Sequence, residues 1–502
     1  MYQAQLFVNR VFLGAEISPY LYGSFVEHMG RVVYSGIYEP GHREADEDGF
    51  RKDVLELVQK MGVTCVRYPG GNFVSNYHWQ DGVGPRDLRP RRREIAWRSI
   101  ETNEFGTDEF MKWAQKAGVM PILAVNHGTG GTQDALSLAE YCNLPTGTYY
   151  SNLRAKHGHP APYGVSVWCL GNEMDGIWQI GHKTAEDYGK LAAQTAHALK
   201  ALDPSIQTVV CGSSSAEMRS YTDWERIVLE CGYEFTDYLS LHHYYGGQEK
   251  GTEEFLAQSL DLEQYIRTIL GVCDAVQAKK RSQRKINICF DEWGVWEIPG
   301  DAVAEQVERQ NWPIAPAFSE QIYTMEDTLL FSSMLMAFVK FCDRVKIACQ
   351  SLLTNISAAI MTERGGQAWV QPIYYPFAYM AKYGRGRLLQ SVLHAPSYRT
   401  ASGSEVPYLD YVVIWNEAQK EVVIFAVNRR PESACVTIAL QDFSPTRVLE
   451  HVILHHVDLK MTNLEDHQAV TPSTSEAHNL DGETVTFDIA PYSWNMLRIE
   501  IF

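Results

Sequence analysis

The chain has 502 residues, 45% of them hydrophobic and 21% charged, with a net charge of −17; this excludes a disordered resting state and leaves ample core for two domains. The acidic balance argues against a general nucleic-acid or anionic-membrane partner, since a polyanion would be repelled. Ten cysteines in so long a chain make no disulfide scaffold, and Cys65, Cys169, Cys211, Cys289 and Cys349 sit inside apolar runs as small reduced hydrophobes do.

The N-terminus shows no basic segment followed by a long apolar core, and no apolar run has membrane-spanning length, so the expected location is cytoplasmic. The first residues alternate, with Tyr2, Ala4, Leu6 and Val8 on one face, as in a half-buried strand. Residues 21–27 then read as a strand and residues 53–61 as a helix with Val54, Leu55, Val58 and Met61 on one stripe, closed by Gly62. Residues 63–68 are a strand again, followed by the loop Pro69-Gly-Gly-Asn72.

This alternation of strand and helix continues. Strands are expected at residues 120–126, 165–173, 208–213, 238–244, 286–293 and 345–352, with helical stretches from Thr132 and Thr184, the latter opened by the capping box Thr184-Ala-Glu-Asp187. About eight such repeats predict an α/β fold, a closed parallel (β/α)8 TIM barrel over residues 16–384. From residue 385 short strands separated by polar turns predict a C-terminal all-β sandwich, jelly-roll-like, and the N-terminal strand (residues 1–15) is assigned to it for want of another partner. The long loop at residues 295–323 is expected to shape the pocket or a subunit contact.

Two strands end in carboxylates. Val165-Ser-Val-Trp-Cys-Leu-Gly-Asn-Glu173 and Ile286-Asn-Ile-Cys-Phe-Asp-Glu292 each run apolar and then deliver a charge at the strand end, where barrels place their chemistry. Two carboxylates at one rim suit glycoside hydrolysis, with an expected separation of ~5–5.5 Å if one is a nucleophile. Asp291 is read as the structural neighbour of Glu292, because adjacent strand residues point to opposite faces. By the same rule His242 and His243 diverge, so no metal site is expected there. Gly128-Thr-Gly-Gly131 lacks the third glycine of a dinucleotide fingerprint, and the basic run around Arg86 to Arg93 reads as a solvated loop.

At these residues the sequence resembles the intracellular α-L-arabinofuranosidases of glycoside hydrolase family 51 over nearly the whole chain. The resemblance rests on ordered blocks, among them Phe25-Val-Glu-His-Met-Gly-Arg31, Arg67-Tyr-Pro-Gly-Gly-Asn72, Ile100-Glu-Thr-Asn-Glu-Phe-Gly106, Gly171-Asn-Glu-Met-Asp-Gly176, Ser240-Leu-His-His-Tyr244 and Phe290-Asp-Glu-Trp293. It implies a retaining exo-hydrolase that releases terminal α-L-arabinofuranosyl units from arabino-oligosaccharides or arabinoxylan fragments, with no cofactor, no nucleic-acid or membrane partner, and commonly a hexameric assembly. Glu173 then looks like the acid/base and Glu292 the nucleophile; Glu27, Asn72, Asn172 and Tyr244 look like the residues holding the furanose, Arg67 supports Glu292, and Trp97 and Trp296 are pocket walls.

Two positions depart from the family pattern. Gly294 stands where an asparagine is usual, and Leu352 where a sugar-contacting glutamine is usual; Gln350, two residues away, is the amide expected to substitute for it. The rival readings are a retaining glycosidase of the same scaffold acting on another furanoside or a β-linked pyranoside, and a sugar-binding protein without turnover.

Overall fold

The computed structural model describes residues 1–502. The N-terminal strand β1 (Tyr2–Glu16) precedes a closed barrel of eight parallel strands: β2 (Gly23–Phe25), β3 (Cys65–Tyr68), β6 (Met120–Val125), β7 (Val167–Leu170), β8 (Gln207–Cys211), β9 (Tyr238–Tyr245), β10 (Asn287–Val295) and β11 (Val345–Gln350). Between β3 and β6 the chain makes a small hairpin, β4 (Arg92–Glu94) with β5 (Ser99–Glu101). The barrel strands are almost wholly buried, which is why they read as continuous apolar runs rather than alternating ones.

The helices between them follow their local signals. Lys52–Met61 buries Val54, Leu55, Val58 and Met61 and ends at Gly62, whose φ of 76° suits a residue without a Cβ. Ala185–Leu202 begins where the Thr184 hydroxyl accepts the Asp187 amide at 3.2 Å. The 29-residue helix Thr252–Lys280 fills the helical interval expected between two barrel strands, whereas the helix Gly300–Glu308 lies inside the stretch expected to be loop.

The C-terminal residues form one hydrogen-bonded sheet of ten strands rather than two separate ones, and β1 lies within it, parallel to Ala434–Gln441 and antiparallel to Arg387–His394. Its inward side chains, from Leu6 to Ile501, gather in a core of 21 buried residues distinct from the 112-residue core of the barrel. The other face, through Phe425, Val427, Trp494 and Met496, joins the barrel core. No helix is long and apolar enough to cross a membrane.

Candidate active site

The C-terminal ends of the barrel strands open into a cup of about 740 Å³. Its lining includes Glu27, Asn72, Trp97, Glu173, Tyr244, Glu292 and Trp296 of the expected residues, together with Trp178, Ser351 and Leu352. Arg67 and Asn172 lie just beneath, each 1% exposed.

Glu292 comes from within β10, and Glu173 from the turn after β7. Gly171 there has φ 95°, and Glu173 itself sits at φ 43°, a left-handed conformation rare for a residue with a side chain. One oxygen of Glu173, one of Glu292 and a nitrogen of His242 lie within 4.8 Å of one another. That is the short spacing of retaining carboxylate pairs, well under the ~6.5–9.5 Å of inverting ones.

The pair is wired into the barrel interior. Arg67 on β3 donates from Nη1 to Glu292 Oε1 (2.8 Å) and from Nη2 to Asn172 Oδ1 (2.7 Å), and its Nε pairs with Asp291 Oδ2 at 2.9 Å. The Tyr244 hydroxyl donates to Glu292 Oε2 (2.9 Å) and lies 2.8 Å from Ser351 Oγ. Trp178 Nε1 donates to Glu173 Oε2 at 2.7 Å. On the far wall, Glu27 Oε1 accepts the Phe73 amide (2.8 Å) and Trp97 Nε1 (2.9 Å). Gly70 and Gly71 let the backbone reach it: a Cβ on Gly71 would lie 2.2 Å from Glu27 Oε2. Trp97 is held at the hairpin turn because Glu94 accepts the amides of Ala96 and Trp97, both at 2.7 Å.

One expectation from strand alternation is overturned, and the other holds with a consequence the alternation did not reveal. Asp291 does not face away from Glu292, for both reach the same guanidinium; the register of β10 shifts against β9 between Cys289 and Glu292, and against β11 between Phe290 and Trp293, and that bulge re-aims the side chains. His242 is no isolated ring: its Nδ1 lies 3.0 Å from Glu173 Oε1 and 3.7 Å from Glu292 Oε2, and its Nε2 lies 3.4 Å from Asp291 Oδ1. His243 does turn outward, against Tyr245 and Tyr265. The trio Glu173, His242 and Glu292 has the donors a divalent cation could use, and a proton on His242 satisfies the same carboxylates.

Electrostatics follow from the crowding. Burial disfavours a charged His242, but Glu292, Asp291 and Glu173 outweigh it and push the imidazole up to about 10. Burial would also raise Asp291, yet Arg67 and His242 hold it at about 2. Glu292 is raised by burial, with His242 and Arg67 pulling against that rise. Glu27, deeply buried and facing Glu292, is pushed up to about 8 despite the Phe73 amide.

Leu352 lines the cup at 1% exposure, as the sequence placed it. Gln350 does not take its place: it is absent from the lining, and its amide donates to the carbonyls of Ser351 and, at 2.7 Å, Ser357. Gly294 is not enforced by space, since an added Cβ would meet nothing closer than 3.6 Å. The basic run is neutralised locally, with Arg86 and Arg89 on Glu109 and Arg92 on Asp81.

Comparison with known proteins gives the family. Residues 57–267 match the α-L-arabinofuranosidase 1 domain, and residues 291–493 the α-L-arabinofuranosidase C-terminal domain. The chain is 48% identical over 501 residues to the intracellular exo-α-(1→5)-L-arabinofuranosidase of Acetivibrio thermocellus, covering 99% of this chain and all of that one. It is 44% identical to the exo-α-(1→6)-L-arabinofuranosidase of Bifidobacterium longum, covering 99% and 97%. Among solved structures, a family 51 α-L-arabinofuranosidase from Bifidobacterium longum superposes over the full length of both chains with a TM-score of 0.95 at 40% identity.

Proposed function

Since the chain belongs to the family 51 α-L-arabinofuranosidases, we propose that it removes terminal α-L-arabinofuranosyl units by double displacement, with Glu292 as nucleophile and Glu173 as acid/base. The observation that carries this reading is the closeness of the two carboxylates at one open cup. Glu292 attacks C1 of the furanose while Glu173 gives its proton to the departing glycosidic oxygen. Glu173 then takes a proton from water, whose oxygen displaces Glu292 from C1 and frees the sugar.

Glu27, Asn72, Asn172 and Tyr244 hold the furanose in this reading, with Trp97 and Trp296 as walls and Arg67 fixing Glu292. His242 supplies a positive charge to both catalytic carboxylates in turn. During the first step negative charge leaves Glu292 for Glu173, and the imidazolium faces both. The substrates are arabino-oligosaccharides or arabinoxylan fragments; relatives named for 1→5 and for 1→6 linkages lie at similar identity, so either linkage fits the chain. Relatives named intracellular support a cytoplasmic location. An exposed apolar strip, Phe7, Val11, Phe12, Leu13 and Val392, supports a homo-oligomer, for which a hexamer is the expected form and light scattering the check.

The test is hydrolysis of an aryl α-L-arabinofuranoside followed by NMR. The first sugar released is the α anomer; the β anomer, or no release, would overturn the reading. A second reading, turnover of a different furanoside, is favoured by Leu352 in the sugar-facing wall, and a panel of aryl furanosides and pyranosides separates the two.

A further inference from the structure

The polar and apolar parts of the cup are spatially sorted. Glu173, Tyr244, Glu292 and Ser351 form the polar cluster at the carboxylates, with Glu27 and Asn72 across from them, and the cup is larger than one five-carbon sugar requires. Most of the rest of its surface is apolar. One wall is built by Ile298, Pro299 and the helix Gly300–Glu308, which turns Val303, Ala304 and Val307 to the cavity at helical spacing. Val303 is packed into the barrel core and Val307 rests against it, so this wall has a fixed shape. Its one polar lining residue is Glu308, at the helix end. Met29 and Ala96 add further apolar surface, and the Trp178 ring is half exposed with its single donor already committed to Glu173.

We infer that this outer part of the cup is a subsite for a compact apolar aglycone, so that the enzyme hydrolyses arabinofuranosides of aliphatic alcohols as well as sugar-linked ones; the inference rests on the furanosidase reading. A second sugar brings a hydroxyl on nearly every carbon to a wall that offers it one carboxylate. A hydrocarbon group brings none and loses water on both surfaces. The chemistry is that of the proposed reaction: the C1–O bond breaks, the alcohol leaves with the Glu173 proton, and water supplies the oxygen that ends on C1. Glu308 at the edge disfavours an acidic aglycone.

The experiment compares kcat/KM for methyl, butyl and hexyl α-L-arabinofuranosides, whose alcohols are nearly equal as leaving groups, with an arabinofuranosyl disaccharide as reference. Burial of a methylene changes binding by roughly fourfold at full effect, so the hexyl compound is expected to exceed the methyl one by about tenfold or more. Val303→Asn and, separately, Val307→Asn are expected to bring the hexyl-to-methyl ratio close to one. Because both substrates are measured on the same preparation, a partly folded variant does not distort the ratio. A flat alkyl series in the unaltered enzyme, or a ratio that neither substitution moves, would overturn the subsite while leaving cleavage of the disaccharide intact. Failure to cleave any arabinofuranoside would overturn the furanosidase reading, and the subsite with it.

Discussion

The mouth of the barrel and the C-terminal sheet are built by opposite rules. In the middle of the sheet, Leu409–Asn416, Glu421–Asn428 and Ser493–Ile501 pair with one another without a register break, and their side chains alternate between two apolar cores; the breaks fall further out, against Pro445–Leu454 and along β1. At the mouth the ladder is broken beside Asp291, Glu173 holds a left-handed backbone, and Arg67, His242, Asp291 and Glu292 are all buried together. Regular pairing stabilises, whereas the mouth holds groups that would be better solvated elsewhere. The difference separates the part of the chain built for stability from the part built to hold charge at the cup.

Substitutions can break this contrast from either side. Glu292→Gln is expected to cost roughly 10⁴-fold or more in kcat on every substrate, because no other group can form the covalent intermediate, and circular dichroism should show the fold intact. Glu173→Ala is expected to cost on the order of 10²–10⁴-fold on sugar-linked substrates and far less on activated aryl glycosides, which need no proton. Equal losses on both substrate types would reassign the acid.

His242→Asn sharpens the comparison through pH. Removing a cation beside Glu292 disfavours its ionised form, so the acid limb of the kcat/KM profile should move to higher pH, with about a 10-fold or greater loss at neutrality. Stability gives an independent readout. His242 is raised from its ordinary ~6.5 to about 10, so its contribution is complete below ~6.5 and fades as pH rises through 10. Denaturant midpoints of the unaltered protein should fall across that window more steeply than those of the variant.

The smallest effect on turnover is expected in the sheet. Ile438, fully buried between Leu6 and Val485, touches no part of the mouth. Ile438→Ala should cost about 2–5 kcal/mol of stability, read as a lowered Tm, with kcat of the folded fraction unchanged. A drop in kcat at permissive temperature would show that the two regions are coupled.

Much of this was legible in the residues, for stated reasons. The barrel strands are buried on both faces and so read as apolar runs, and Glu173 and Glu292 follow such runs directly. The hairpin carrying Trp97 was not, because two three-residue strands, Arg-Arg-Glu and Ser-Ile-Glu, are too short to show a periodicity. Nor was the shared orientation of Asp291 and Glu292: alternation is a rule for unbroken pairing, and a bulge leaves no mark in a single sequence. The carboxylates around His242 were hidden for a different reason, since they arrive from β7 and β10, far from it in sequence. Gln350 failed as a substitute because backbone carbonyls next to it claim the amide first.

The placement of β1 bears on how the protein is made. Its neighbours in the sheet are the strands Arg387–His394 and Ala434–Gln441, which leave the ribosome roughly four hundred residues after it. At about 5–20 residues per second, this segment waits roughly 20 to 80 seconds for a partner. Throughout that interval Phe7, Val11 and Phe12 hang on an unpaired edge, the kind of template on which nascent chains stick to one another. The segment therefore stays open to such pairing until the last strands are made, and a tag fused ahead of Tyr2 must travel with them to close.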